Sequence, residues 1–349
     1  MICPRAAVTG LLAALLSVGG CGPVPQAPSP AVTRSPPPSA TAAASASSAA
    51  AASSGAAPTA AATISAGSSG AAVASAPTRA MPSTSAPLPF AHIYLVILEN
   101  HEYGSIVGSA DAPYLNGLMA RYALATSMRA VAHPSEPNYI ALVSGGTQGV
   151  HDDGVHNLDT RSLFDQVEAA GRTWHVYAQG YPGACSTAAF SGVAADGPGQ
   201  PGAYARKHNP AISFTSISGN SSRCADITGL SGFSPAAADY ELIVPNVIND
   251  MHSAPVATGD AFLAAFLPSI LDSAAFRAGS LLIVTFDEGD TNEGGGGHIA
   301  TVIATPAMAP GTRFSQPATH YSVLRTIEDA WGMPALGAAA EATPIPVGP

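Results

Sequence analysis

Two acidic pairs stand directly after apolar runs. Glu99-Asn100 follows His92-Ile93-Tyr94-Leu95-Val96-Ile97-Leu98, and Asp287-Glu288 follows Leu281-Leu282-Ile283-Val284-Thr285-Phe286. Carboxylates brought close together repel one another unless something positive holds them. An all-oxygen set of Glu99, Asn100, Asp287 and Glu288 suits one hard divalent cation, Mg²⁺, Ca²⁺ or Mn²⁺. The plainer alternative is that strand-end acids are simply solvated. Asp290 and Glu293, inside a glycine-rich stretch, are read that way.

A third segment, Ala132-His133-Pro134-Ser135-Glu136-Pro137-Asn138-Tyr139, opens an apolar run that continues to Val143. Ser135 suits an N-cap, with an acid and a proline in the first turn behind it. The same placement suits a nucleophile. The positive helix end and a bound metal would both favour its alkoxide, and a phosphate can rest on the same N–H groups. Asn138 would then anchor the anion or orient the serine. His208, in Tyr204-Ala205-Arg206-Lys207-His208-Asn209-Pro210, and His252, in Pro245-Asn246-Val247-Ile248-Asn249-Asp250-Met251-His252, lie among polar loop residues. They read as phosphate contacts rather than core fillers. No His-x-x-x-His pair exists, so no zinc motif competes. His298 and His320 are weaker candidates, and His151, His156 and His175 are assigned to structure or surface.

These residues need elements to hold them. Residues 92–98 and 281–286 read as buried strands, with weaker strand patterns at 174–178, 241–244 and 299–304. Helical periodicity marks 113–122, 162–170, 259–276 and 321–331. Strands alternating with helices predict an α/β fold with a mostly parallel sheet covered by helices on both faces. Such sheets bind ligands beyond the carboxyl ends of their strands, which is where both acidic pairs fall.

Charge is distributed unevenly. The first acidic residue is Glu99, so all 23 carboxylates belong to the later part of the chain, with only 10 of the 13 basic residues. The domain expected over residues 89–349 therefore carries a formal −13, and Lys207 is the only lysine. That balance excludes nucleic-acid binding through a basic face. Ahead of it, residues 22–88 are almost all Ala, Ser, Pro, Thr and Gly, the composition of a disordered linker. Residues 1–21 combine Arg5, the short apolar stretch Leu11 to Leu16, and Val18-Gly19-Gly20-Cys21. They read as a signal peptide with a lipobox acylated at Cys21, or as an ordinary signal peptide cut nearby. Cys185 and Cys224, the two cysteines of the domain, pair most simply as one disulfide in an oxidising compartment.

Taken together, Glu99-Asn100, His133 to Tyr139, Tyr204 to His208, Pro245 to His252, Thr285-Phe286-Asp287-Glu288 and His320-Tyr321…Leu324-Arg325-Thr326-Ile327-Glu328 resemble the bacterial phosphoesterase family. That family groups acid phosphatases with phosphatidylcholine-type phospholipases C. The similarity spans roughly 91–336. It implies an alkaline-phosphatase-like sandwich, Glu99, Asn100, Asp287 and Glu288 as ligands of one divalent metal, and Ser135 as a nucleophile passing through phosphoserine. It further implies that His208 and His252 surround the phosphate, with His133 and Asp250 nearby. The family often continues Glu-Asn with Arg-Ser, whereas His101-Glu102-Tyr103 follow here. The expectation is an exported, metal-dependent acid phosphatase acting on a phosphorylated small molecule or lipid and touching the membrane only through its anchor. A protonated histidine as proton donor would favour mildly acidic pH. A phospholipase C-type diesterase and a non-catalytic surface lipoprotein are the alternatives.

Overall fold

A computed structural model describes residues 90–191 and 203–348. The signal segment, Cys21 and the linker over 22–88 lie outside the described residues.

The strands, in chain order, are β1 (Ile93–Leu98), β2 (Ala123–Arg129), β3 (Trp174–Ala178), β4 (Phe190–Ser191), β5 (Tyr204–Ala205), β6 (Ile227–Thr228), β7 (Tyr240–Val244), β8 (Leu281–Phe286), β9 (His298–Ala304), β10 (Thr312–Phe314) and β11 (Ala318–Thr319). Nine of these build one sheet in the order β10-β2-β9-β8-β1-β7-β3-β6, with β11 also on β2, while β4 and β5 pair separately. Only β9 runs against its neighbours β8 and β2; the other pairings in the sheet are parallel. β1, β7 and β8 are buried at every position. A strand that hides both its faces has cover on both sides of the sheet, so the α/β, mostly parallel architecture stands as expected.

The helices are α1 (Tyr103–Ile106), α2 (Pro113–Arg121), α3 (Ser135–Ser144), α4 (Leu163–Ala169), α5 (Thr215–Ser218), α6 (Ser221–Cys224), α7 (Val256–Phe266), α8 (Pro268–Leu271), α9 (Ala274–Arg277) and α10 (His320–Ala330). α3 packs on α10 and α4, and α2 on α7. α4 begins with a capping box between Ser162 and Asp165, which satisfies two otherwise orphaned N–H groups.

The sequence pattern over 259–276 does not form one helix. It is cut at Pro268, which lacks an N–H to continue α7, and again at Ser273, whose Oγ accepts from Phe276 N and restarts the chain as α9. β2 was not legible in advance. Its residues are mostly small or polar (ALATSMR), with only Leu124 and Met128 large and apolar, and its ladder with β9 shifts register between Ala125 and Met128. The Cys185–Cys224 disulfide is formed, with Cα atoms 5.3 Å apart. No described helix is long and apolar enough to cross a membrane.

Candidate active site

Three neighbouring strands, β7, β1 and β8, deliver their carboxyl ends to one place. β1 releases the chain at Glu99, which is fully buried, and Glu99 N donates to Asp250 O beyond β7 at 2.9 Å. Asn100 takes a left-handed backbone, φ 54°, a conformation its short amide side chain tolerates better than most. That turn points Asn100 N at Asp287 Oδ1, 3.1 Å away, and the same oxygen accepts from Glu288 N at 2.6 Å. Asp287 Oδ2 is buried without a hydrogen-bond partner among the described residues.

Ser135 arrives from the loop between β2 and α3. Asn138, one turn into the helix, holds that loop. Its Oδ1 accepts from Val131 N and Ala132 N, and its Nδ2 donates to Ala132 O and Pro134 O. The Asn138 amide is thus committed to backbone; it orients the serine loop rather than offering itself to an anion. Ser135 is not the N-cap the sequence suggested. Pro134 occupies that position without a side-chain cap, and Ser135 is the first helical residue. Freed from capping, its hydroxyl lies 3.1 Å from Glu99 Oε2 and 3.5 Å from Glu288 Oε1. Tyr139 donates its hydroxyl to the other Glu99 oxygen at 2.5 Å. His133 places Nδ1 2.7 Å from Glu288 Oε2 and Nε2 2.9 Å from Thr291 O.

The turn Arg206–His208 closes the other side. His208 is buried, with Nε2 3.1 Å from Glu99 Oε1, Nδ1 3.2 Å from Asp250 Oδ2, and its ring stacked on Tyr139. His252, partly buried, stands with its ring 5.7 Å from that of His208. Its N–H donates to Asp250 Oδ1, and its Nδ1 is 2.9 Å from Ser253 Oγ. Glu99, His208 and His252 can each turn one ligand atom into a common space, all within 4.8 Å of one another. Glu99 with both histidines is therefore a tighter ligating group than the all-oxygen set read from the strand ends. Asn100 directs its Nδ2 to Glu99 Oε2 at 3.3 Å, and Glu288 spends one oxygen on His133.

Electrostatics explains why such a site calls for a cation. Burial, followed by the charges of Asp287 and Asp250, pushes Glu99 well above the usual carboxylate range. Burial and the neighbouring Glu288 push Asp287 up to about 7. Burial holds His208 well below the ordinary imidazole range. Packed, partnerless carboxylate oxygens beside neutral imidazole fit a divalent metal, which would pay for their desolvation.

Other residues hold the site from behind, and the sequence did not single them out. Arg206 is 1% exposed; it donates to His156 O and has Nη1 3.6 Å from Glu136 Oε1, while Ser213 Oγ donates to the same carboxylate at 3.2 Å. Glu102 gathers the glycine-rich loop, accepting from Asp290 N, Thr291 N, Thr291 Oγ1 and His298 N. The glycines let that loop press on the serine loop: a Cβ on Gly295 or Gly296 would strike the Val131 or Ala132 carbonyl. Glu293 pairs with Arg129 away from the site. His298 bonds Thr126 O and stacks on Tyr103, and His320 bonds Phe286 O.

Residues 105–334 match the model of the Phosphoesterase family. The chain is 33% identical over 258 residues to the phosphatidylinositol-3-phosphatase of Mycobacterium tuberculosis, covering 73% of this chain and 82% of that one. It is 29% identical over 260 residues to an acid phosphatase of Aspergillus fumigatus and 30% over 264 to one of Aspergillus niger. It spans only 56% and 60% of those fungal proteins. Among solved structures, a phosphonate monoester hydrolase from Silicibacter pomeroyi superposes with a TM-score of 0.46 at 10% identity, over 73% of this chain and 77% of that one. A Vibrio parahaemolyticus protein of the alkaline phosphatase superfamily gives 0.46 at 12%, over 70% and 67%.

Proposed function

The chain belongs to the Phosphoesterase family, and from that premise we propose that it is an exported acid phosphatase that hydrolyses phosphate monoesters through a phosphoserine at Ser135. The observation that carries this reading is the Ser135 hydroxyl, uncapped at the start of α3 and aimed between Glu99 and Glu288. Its relatives are named acid phosphatases and a phosphatidylinositol-3-phosphatase, so phosphorylated small molecules and phosphoinositides are the substrate classes to try first. Export is supported by the Cys185–Cys224 disulfide, a bond that persists in oxidising compartments. The leader, the linker over 22–88 and lipidation at Cys21 complete the proposal for location.

Glu99, Asp287 and His208, with Asn100, Glu288 and Asp250 around them, are the residues that would hold a divalent cation, which leaves the His252 imidazole able to carry a proton. Bound there, the cation supplies charge neutralisation at the phosphoryl group and a lowered pKa for the nucleophilic hydroxyl. The chain's own groups do the rest. The carboxylates at 3.1 and 3.5 Å orient the Ser135 Oγ, which attacks phosphorus in line with the leaving oxygen. The serine proton passes to the carboxylate cluster. A new O–P bond forms as the ester O–P bond breaks, and the departing alkoxide takes a proton from His252. His208, buried between two carboxylates and stacked on Tyr139, serves in this proposal as a ligand or support rather than as that donor. Water deprotonated by His252 then attacks the phosphoserine, the Ser135 Oγ–P bond breaks as the carboxylate cluster returns its proton to Oγ, and inorganic phosphate leaves. Positioning and charge neutralisation dominate such transfers.

The test is Ser135→Ala. Turnover of p-nitrophenyl phosphate should fall by about 10³-fold or more while the circular dichroism spectrum is retained. EDTA should abolish activity and added divalent metal restore it. Full activity in Ser135→Ala, or in chelated protein, refutes the proposal, and faster hydrolysis of phosphatidylcholine than of the monoester reassigns the site to a diesterase.

A further inference from the structure

Lys207 is the only lysine of the sequence, and it stands on the turn that also carries His208. Its Nζ lies 2.9 Å from Asp153 Oδ2 and 3.4 Å from His252 Nε2, with the side chain 13% exposed. The ammonium therefore sits at the rim of the site, between a loop carboxylate and the proposed proton donor. Its neighbour Arg206 is buried and engaged with His156 and Glu136, so it is not available to a ligand. An ammonium has three N–H groups. Asp153 takes one of them, His252 Nε2 at 3.4 Å can take a second only while it carries no proton, and no other described residue takes the third.

Asp153 is tied to the nucleophile as well. Its second oxygen accepts from Glu136 N at 3.0 Å, the peptide that follows Ser135. One carboxylate thus bridges the ammonium and the backbone beside the serine hydroxyl. Both donors already hold an oxyanion, and it is one the protein supplies itself. A phosphoryl group attacked by Ser135 would bring its oxygens to the same neighbourhood, against the negative charge of Glu99, Asp250, Asp287 and Glu288.

Resting on the monoesterase reading of this site, we propose that Lys207 binds the phosphoryl group of the substrate and that Asp153 is the internal carboxylate the phosphate displaces from it. The exchange discriminates by charge. A monoester dianion outbids a singly charged carboxylate for the ammonium, whereas a diester monoanion only matches it. Lys207 and Asp153 would then favour monoesters over diesters before any chemistry occurs.

Labelling of the wild-type chain tests this without needing a variant to fold. Trinitrobenzenesulfonate modification of Lys207, mapped by mass spectrometry, should slow by about fivefold in saturating inorganic phosphate, with Nα-acetyl-lysine in the same tube unaffected. By calorimetry, Lys207→Met should weaken inorganic phosphate binding by about tenfold, Lys207→Arg should recover most of it, and Asp153→Asn should tighten it. Unchanged labelling in phosphate overturns the proposal, as does an Asp153→Asn that weakens binding as much as Lys207→Met. Turnover of p-nitrophenyl phosphate by the wild type is scored separately. Turnover without protection removes Lys207 alone, whereas protection without turnover keeps the anion subsite and removes the phosphatase reading.

Discussion

Side by side in sequence, Ser135 and Glu136 face opposite environments. One points into the carboxylate cluster, the other into a buried pair with Arg206. Arg206 has Nε and Nη1 buried without hydrogen-bond partners among the described residues, so the pair is held by charge more than by geometry. Removing one member of such a pair strands the other, at a typical cost of about 3–5 kcal/mol. Arg206→Ala should therefore lose that much stability in urea denaturation, and a loss below about 1 kcal/mol would mean that Glu136 finds another partner or a proton. Ser135, Glu99 and Asp287 were legible because each abuts a strong pattern: a helix start or a strand end. Lys207, Asp153 and Arg206 were not. A single cation or a loop acid has no period, and only the fold brings residues 136, 153 and 207 together.

The elements differ in how far their sequences declare them. β1, β3 and β8 were readable as apolar runs because both faces of the central sheet are covered. β2 was not, because its place depends on pairing with β9 rather than on its own composition. Helix α10 carries a buried carboxylate near its end: Glu328 Oε1 accepts from Leu336 N at 2.8 Å, and burial pushes its pKa up to about 7. On β7, burial pushes Glu241 to about 7 as well, with Ala238 N donating to it. A carboxyl raised in the folded state keeps its proton where the unfolded chain, with an ordinary pKa near 4.3, has lost it. Between those values unfolding releases protons, so each group's stabilising contribution is complete at lower pH and drains away as pH rises toward about 7. Relative to the wild type, Glu328→Gln and Glu241→Gln should gain in melting temperature as pH goes from about 5 to about 8. A difference that stays flat would mean that neither carboxyl titrates on unfolding. The disulfide acts on another element, tying α6 to the loop at Cys185 across 39 residues. Chain-entropy reasoning assigns such a closure about 4 kcal/mol. Reduction should lower the urea midpoint accordingly, and an unchanged midpoint would show that packing alone holds this region.

Across the whole molecule, acidity and phosphate chemistry are reconciled by where the charge is placed. Several of the carboxylates that make the domain so negative are inside, at the converging ends of β7, β1 and β8. That convergence was predictable from the rule for parallel sheets, and the sequence pattern already set His208 and His252 beside the same centre; that both imidazoles share one ligating space with Glu99 was not predictable. The strand order has a further consequence, for biosynthesis. Asn100 reaches Asp287 across 187 residues of chain, so nothing resembling the complete site exists until β8 has left the ribosome and docked beside β1. Such long-range assembly folds slowly, and it makes activity an all-or-none property of the folded domain. Loss of turnover and loss of far-ultraviolet dichroism should therefore follow one denaturation curve.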